Sequence, residues 1–413
     1  MADLSTLALR RALLPFLVIG TLVFPYVGGA LWAYTLILIS LAATLVHLLP
    51  PRAFRLRAGD LLFIGAFLLI LCAYAITGRP GTNDVLYAVN FAVFLFFAPL
   101  RSLFTRFAGP RNSLQVASLA LLGSTVAAVI ALFQVLVQGL GRAEGFGSNP
   151  IPSSTAALLL GFIALMGFLS ESSRRRYIYL LGPVLGLFVV YLGGSRGPML
   201  GGAALLVLTL LTVPRRRWVG AATLVAIAAV GLAAILAFPE RFERVLSLPA
   251  MLAEIAVGEE TMTDESADIR YRILRGSIRA FADAPIFGHG WAAKTAVVDS
   301  HLQEGVFDDS PQYHLHSDVL NLAVSAGLLG LLAYVLVLVA PALAVHNSPR
   351  DGQLQARRFG VSVLIVGYGV CGAVNLLFGF EFMTTFYVLI SALLAGYCQD
   401  AATTVATVPE VRT

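Results

Sequence analysis

The sequence predicts an all-α integral membrane protein of about twelve transmembrane helices, with a long helical loop between spans nine and ten. Composition is the first reason: of 413 residues, 58% are hydrophobic and 12% charged, roughly half the charged share of a soluble domain. The second is that apolar runs long enough to cross a hydrocarbon core as helices recur along nearly the whole chain. They fall near 13–27, 29–49, 60–78, 85–100, 113–139, 151–170, 177–194, 198–213, 217–238, 315–344, 358–378 and 382–398. Residues 1–413 therefore read as one polytopic unit, with 239–314 inserted as a loop that carries an amphipathic helix.

The first span is followed by another after a short turn with no small-residue cleavage site, so it reads as a retained helix and not a removable signal peptide. Arg10 and Arg11 precede it. Arg52, Arg55 and Arg57, then Arg101, Arg106 and Arg111, then Arg174 to Arg176, Arg215 to Arg217, and Arg350, Arg357 and Arg358 fill every second loop. That distribution places those loops and both termini in the cytoplasm. The alternate short loops carry one arginine each, Arg79, Arg142 and Arg196, and the 239–314 loop falls on the far side. Topology thus accounts for the net charge of +5, and no nucleic-acid partner is implied. Cys72, Cys371 and Cys398 lie in or beside apolar spans without paired spacing, which reads as packing and supports neither a disulfide framework nor a zinc site.

Chemistry is then sought on the outer face. Gly141–Pro150 joins spans five and six; its glycines and proline permit an irregular backbone whose N–H groups approach an anion, and Arg142 adds donors suited to phosphate. A plain turn fits the same residues. In Gly193–Met199, Pro198 suits the first turn of a helix, and Arg196 either snorkels to headgroups or serves a site. Ala267–Phe281 reads as an amphipathic helix on the outer membrane surface. Ile269, Ile273, Leu274, Ile278 and Phe281 share one arc, and Arg272, Arg275 and Arg279 form an opposite, solvated or headgroup face. Arg270 falls inside the apolar arc, where a charge is costly without a partner: an acid such as Asp268 or Glu381, or a bound phosphate. Ala284–Trp291 is a turn whose His289 either contacts substrate or bonds to backbone. The stretch from Tyr313 to Gly330 opens on His314, His316 and Asp318 and runs straight into an apolar helix. At that helix N-terminus the dipole disfavours an imidazolium, leaving His316 neutral and proton-accepting. Asp318 also fits an ordinary first-turn role.

In that stretch His316 and Ser317 are followed by nine residues, Gly327, two more, and Gly330. This matches the pattern H-[NSQ]-x9-G-x-x-[GTY] of the O-antigen ligase family. The Arg142 loop, the Ser195-Arg196-Gly197 turn, the Arg270 helix and the Gly288-His289-Gly290 turn also occur in that family's order, so the chain resembles the family over most of its length. It departs at Asn149-Pro150, where the family often has Pro-Asn.

The resemblance implies a GT-C-type glycosyltransferase of the bacterial inner membrane, acting on the periplasmic face without metal or other cofactor and inverting the anomeric centre. Its implied donor is an O-antigen glycan on undecaprenyl pyrophosphate, and its acceptor a sugar hydroxyl of the lipid A-core oligosaccharide, both met among membrane lipids. On that resemblance His316 is the general base, and Arg196 and Arg270, with Arg142 and Arg79, hold the pyrophosphate. His314, Asp318 and His289 orient the base or touch the acceptor, and Gly327 and Gly330 let another span approach closely. An O-antigen polymerase or a protein O-oligosaccharyltransferase uses related elements with a different acceptor. A lipid or solute transporter is the reading from another class, opposed by a midplane nearly free of charge and the lack of a repeat between halves.

Overall fold

The computed structural model describes residues 2–26, 29–48, 56–77, 84–147, 149–212, 265–302 and 314–400, and all regular structure among them is helical. The α-helices are α1 Ala2–Val23, α2 Gly29–Leu48, α3 Ala58–Thr77, α4 Asp84–Tyr87, α5 Phe97–Thr105, α6 Asn112–Leu136, α7 Pro150–Ile163, α8 Leu165–Ser170, α9 Leu181–Gly193, α10 Arg196–Thr212, α11 Glu265–Asp283, α12 Lys294–Ser300, α13 Asp318–His346, α14 Leu354–Val374 and α15 Glu381–Ala392. Tighter 3-10 turns at Ala88–Phe96 and Arg174–Leu180 extend α5 and α9 to spanning length.

Among the described residues, seven helical stretches are long and apolar enough to cross a membrane. Four shorter apolar helices, Ala12–Val23, Gly29–Leu45, Arg196–Thr212 and Glu381–Tyr397, fall at the expected spans one, two, eight and twelve. The expected ninth span, 217–238, and residues 239–264 and 303–313 of the expected loop lie outside the described residues, as does Arg79.

At the centre stands α7, buried from Pro152 to Ile163. Its neighbours come close because small residues face each other: a Cβ on Gly161 would collide with the Gly182 carbonyl of α9, and one on Gly182 with Gly161. The periphery is apolar, with Leu31, Leu136 and Leu211 each at least 70% exposed, the reverse of a water-facing surface and suited to lipid tails. Cys371 and Cys398 are buried as packing residues, whereas Cys72 is on the exposed side of α3.

The connections gather at two ends. At one, Gln353 donates to the Gly109 carbonyl (2.8 Å) and accepts from Ser113 N–H (2.8 Å), and Asn112 donates to the Tyr397 carbonyl (3.0 Å). This is the arginine-rich end, and two of its arginines do more than mark topology. Arg101, 3% exposed, makes a forked pair with fully buried Asp60 at 2.8 and 2.7 Å. Arg357 is fully buried and donates to Asp351 (2.6 Å), Ser348 (3.0 Å) and the carbonyls of Pro349 and Cys398 (2.6 and 2.7 Å). Two grooves of about 540 and 450 Å³ beside Arg358 also open at this end. His289, His314 and His316, with Arg142, Arg196 and Arg270, lie at the other.

Candidate active site

The arginine-poor end is assembled from loops whose backbone groups are held by buried side chains. In the 141–150 loop, the Gln134 carboxamide accepts from the N–H groups of Glu144 and Gly145 (both 3.0 Å), and Ser153 donates to the Glu144 carbonyl (2.7 Å). Asn149 caps α7, its side chain accepting from Ile151 N–H with Pro150 in the first turn. The Asn-Pro order is therefore that of a helix start. Arg142 donates from Nε to the Gly193 carbonyl and from Nη2 to Ser195 Oγ, both at 2.9 Å. Two of its five donors thus fix the turn that presents Arg196.

Arg196 begins α10. The next residue, Gly197, lies against Asn375 so closely that a Cβ there would overlap the carboxamide. Asn375 in turn accepts, through its carbonyl, from Asp318 N–H at 3.1 Å. The starts of α10 and α13 therefore meet at the end of α14, which brings the Arg196 turn and the His316 turn to one place.

Asp318 Oδ1 accepts from Leu377 and Phe378 N–H at 2.7 and 2.9 Å, and the residue is fully buried. It clamps the connection between α14 and α15, a role inside the protein that leaves it no surface for an acceptor. His289 is similar: its Nε2 lies 2.7 Å from the Ala280 carbonyl and its own N–H donates to Val324.

The Gly288-His289-Gly290 turn has a second task. Gly327 breaks α13 with φ 62° and ψ −146°, a conformation essentially confined to glycine. Across the break the turn and the helix exchange backbone bonds: His289 and Gly290 donate to the carbonyls of Val324 and Ser325 (2.8 and 2.9 Å), and Leu328 and Leu329 donate to those of Pro285 and Ile286 (2.7 and 3.4 Å). Groups freed by the break are thereby satisfied, as burial requires. The atoms nearest to Gly327 and Gly330 belong to the turn at 285–286 and to α13 itself. A Cβ on Gly327 would meet Ile286 backbone at 2.5 Å, and one on Gly330 would strike the helix's own Leu322 carbonyl, across the break.

His316 has φ 51°, the one positive value at a non-glycine among the described residues. Ser317 caps α13 behind it, and Asn321 bonds to both Leu315 N–H (3.2 Å) and the Ser317 carbonyl (2.7 Å). The left-handed conformation costs roughly 1 kcal/mol or more and turns the His316 ring into contact with His314: the rings are 4.5 Å apart, edge to face, and His314 Nδ1 accepts from His316 N–H at 3.3 Å.

Arg270 reaches the same pair. On α11, Arg270, Ile273, Ser277 and Ala280 recur at helical spacing, and the last three are buried at 1% exposure or less. Ile273 and Ala280 pack with Val298, Leu315 and Val324. The sequence-level arc splits: Leu274 and Ile278 are 40% and 58% exposed, while Arg270 lies on the face turned to the histidines. Arg272 ion-pairs loosely with Asp268 at 3.9 Å. Burial, then His314, then the Arg270 guanidinium hold His316 down to about 3. Burial, then Lys294, then Arg270 lower His314. The ring stays neutral at physiological pH chiefly by burial, with neighbouring positive charge adding to it.

Lys294 was not singled out from the sequence. It is 2% exposed, its Nζ sits 3.8 Å from the Trp291 ring centroid, and it donates to the Trp291 carbonyl at 3.2 Å. Asp84, also buried, accepts from Ala292 N–H at 2.7 Å beside it. The available signal was that Lys294 is the chain's only lysine, every other basic charge being an arginine.

Fold and site together define a multi-helix membrane protein with a cluster of histidines and basic side chains at one end of its bundle. Among the described residues no group of His, Cys, Asp and Glu is placed to hold a metal ion. Residues 181–335 match the family model described as O-Antigen ligase, and this match supports the chain's membership of the O-antigen ligase family. The matched stretch runs from α9 into α13 and contains Arg196, Arg270, His316, Gly327 and Gly330. A search of curated proteins returned no match.

Proposed function

We propose that the protein is an O-antigen ligase: a GT-C-type, metal-independent inverting glycosyltransferase of the bacterial inner membrane, with both termini cytoplasmic and its site facing the periplasm. It moves a glycan from undecaprenyl pyrophosphate to a sugar hydroxyl of lipid A-core. The observation that carries this reading is His316, a strained and neutral histidine beside Arg270 on the family's own motif.

In the reaction the acceptor hydroxyl oxygen bonds to the anomeric carbon from the face opposite the phosphate, the bond from that carbon to phosphate oxygen breaks, and the hydroxyl proton passes to His316. Undecaprenyl pyrophosphate leaves carrying the electron pair. Arg196 and Arg270 stabilise its developing charge, Arg79 is a further candidate, and Arg142 holds the Arg196 turn. A base held at about 3 is weak, chiefly because the ring is buried. Pyrophosphate bound at Arg270 offsets the smallest of the three depressing effects and so raises the basicity of His316. His314 orients the ring.

The test is a gene deletion followed by separate gels of lipopolysaccharide and of undecaprenyl-linked glycans, with rescue by wild type or His316→Ala. The ligase reading expects core lipid without O-antigen, long glycans accumulating on undecaprenyl, and rescue by wild type only. Core lipid carrying single repeats with long chains lost identifies a polymerase instead, and unchanged lipopolysaccharide removes both.

A further inference from the structure

We infer that Lys294 is a phosphate-binding residue of the donor site, presenting a buried ammonium that is seated on the Trp291 ring beside the histidine turn. The inference rests on the ligase reading and adds to it a residue that neither the family motif nor the arginine pattern marks.

Placement is the first argument. Lys294 opens α12 directly after the turn whose backbone is bonded across the α13 break, so its position is fixed by the same contacts that hold the histidine turn. It is close enough to His314 for its charge to depress that ring, and Arg270 acts on the same ring and on His316. Val298 of the same short helix packs with Leu315, the residue between the two histidines, and Lys294 and Arg270 both act on the His314 ring. The carboxylate acting on Lys294 is Asp84, which is engaged with Ala292 N–H.

The bonding of the ammonium is the second argument. Nζ has three donors; one goes to the Trp291 carbonyl, and the indole face lies beneath at 3.8 Å. Trp291 is itself walled in by Tyr74, Tyr87 and Phe91, with ring centroids 6.3, 6.0 and 6.1 Å away. An aromatic floor holds a cation without consuming its hydrogen-bond donors, which leaves donors for phosphate oxygens.

Residue type is the third. A chain that uses arginine at every other basic position uses lysine here. Arginine remains charged in any protein environment, whereas a buried lysine can release its proton. Burial lowers Lys294 to about 7, opposed by Asp84. A phosphate beside Nζ opposes the effect of burial and favours the charged ammonium.

The groups facing Lys294 are Asp84 on α4, Trp291 on its own segment, and His314, beyond which lies Arg270. Linkage fixes the sign. If phosphate raises the ammonium's proton affinity, binding is tightest below about pH 7 and weakens by up to about tenfold per pH unit above it.

The experiment measures binding of undecaprenyl pyrophosphate to the purified full-length protein in nanodiscs between pH 7 and 9, with phosphatidylglycerol as a competing phosphate source. Wild type is expected to show the pH-dependent loss. Lys294→Gln is expected to bind about 10- to 100-fold more weakly at pH 7, the size of one charge-assisted contact. Lys294→Arg is expected to bind with no such pH dependence. Asp84→Asn keeps the lysine but removes its counter-charge, so the loss begins at lower pH.

Because the chain has one lysine, ¹³C-lysine labelling yields a single side-chain signal, whose titration is expected to move upward when undecaprenyl pyrophosphate is added. Equal binding by wild type and Lys294→Gln, or a lysine titration indifferent to undecaprenyl pyrophosphate, overturns the inference and leaves the ligase reading standing. Phosphatidylglycerol displacing undecaprenyl pyrophosphate at equal concentration overturns it in favour of a lipid-headgroup site. Failure of wild type to bind undecaprenyl pyrophosphate removes the ligase reading itself.

Discussion

His316 combines three properties that seldom coincide: left-handed backbone, a neutral imidazole, and an arginine close enough to influence its ionisation. Replacing it with alanine removes proton transfer without disturbing Asn321, which holds the turn through backbone groups. Transfer is expected to fall at least ~100-fold, measured as O-antigen joined to core lipid by membranes supplied with donor. His314 acts on His316 electrostatically, so His314→Phe should leave measurable transfer and shift its acid limb. Removing the neighbour that lowers His316 makes that ring more basic, and activity is then lost at a higher pH than in wild type. Stability follows the same ionisations. Both rings are depressed in the folded state, so between the unfolded histidine value of about 6.5 and the folded one the unfolded chain binds more protons. Their contribution is complete above about pH 6.5 and declines as pH falls toward 3. Thermal unfolding of the detergent-solubilised protein at pH 5 and pH 7.5 is expected to show this difference, and a His314→Asn/His316→Asn double variant to narrow it.

At the scale of elements, the break in α13 and the clamp between α3 and α5 make separate demands. Gly327→Ala would place a Cβ against the Ile286 carbonyl in a backbone region closed to other residues. It should cost about 2–4 kcal/mol, read as a lower Tm, and should lower transfer because the turn carrying His289 and leading to Lys294 is bonded across that break. Asp60→Asn leaves Arg101 buried without its counter-charge, which costs about 3–5 kcal/mol. Replacing both residues with apolar ones is expected to recover much of that loss. These two elements also show how far the sequence can be read. The apolar runs that form helices among the described residues, the odd placement of Arg270 and the order of the polar turns were legible, because periodicity and spacing are local properties. The Gly327–Gly330 pair was read as a packing face because a spacing of three also suits a continuous helix, and only the partner turn reveals a break. Arg101 passed for a topology marker because its partner Asp60 lies 41 residues away. Lys294 reads locally as one basic residue in a polar loop; its burial comes from α4 and Trp291.

The whole molecule has two unlike ends. Arginines and buried ion pairs tie the helix ends together on one side, while on the other Arg270 and Lys294 act on the histidine pair. The proposed reaction requires the second end to face the periplasm, where finished lipid-linked glycans meet lipid A-core, and the positive-inside distribution requires the first to face the cytoplasm. Both requirements are tested by one labelling measurement. Ser300, at the end of α12, and Gly352, in the connection between α13 and α14, are exposed. A Cβ at Gly352 meets nothing within 4 Å, so a cysteine fits there, and Ser300→Cys is nearly isosteric. In a background with Cys72, Cys371 and Cys398 replaced, a membrane-impermeant maleimide applied to cells with a permeabilised outer membrane should label Ser300→Cys and spare Gly352→Cys until lysis. The reverse pattern would put the histidine end in the cytoplasm, away from the acceptor, and no ligase could work in that orientation. Labelling of Ser300→Cys that is slowed by undecaprenyl pyrophosphate would go further, because α12 begins at Lys294 and a ligand seated there should restrain the whole short helix.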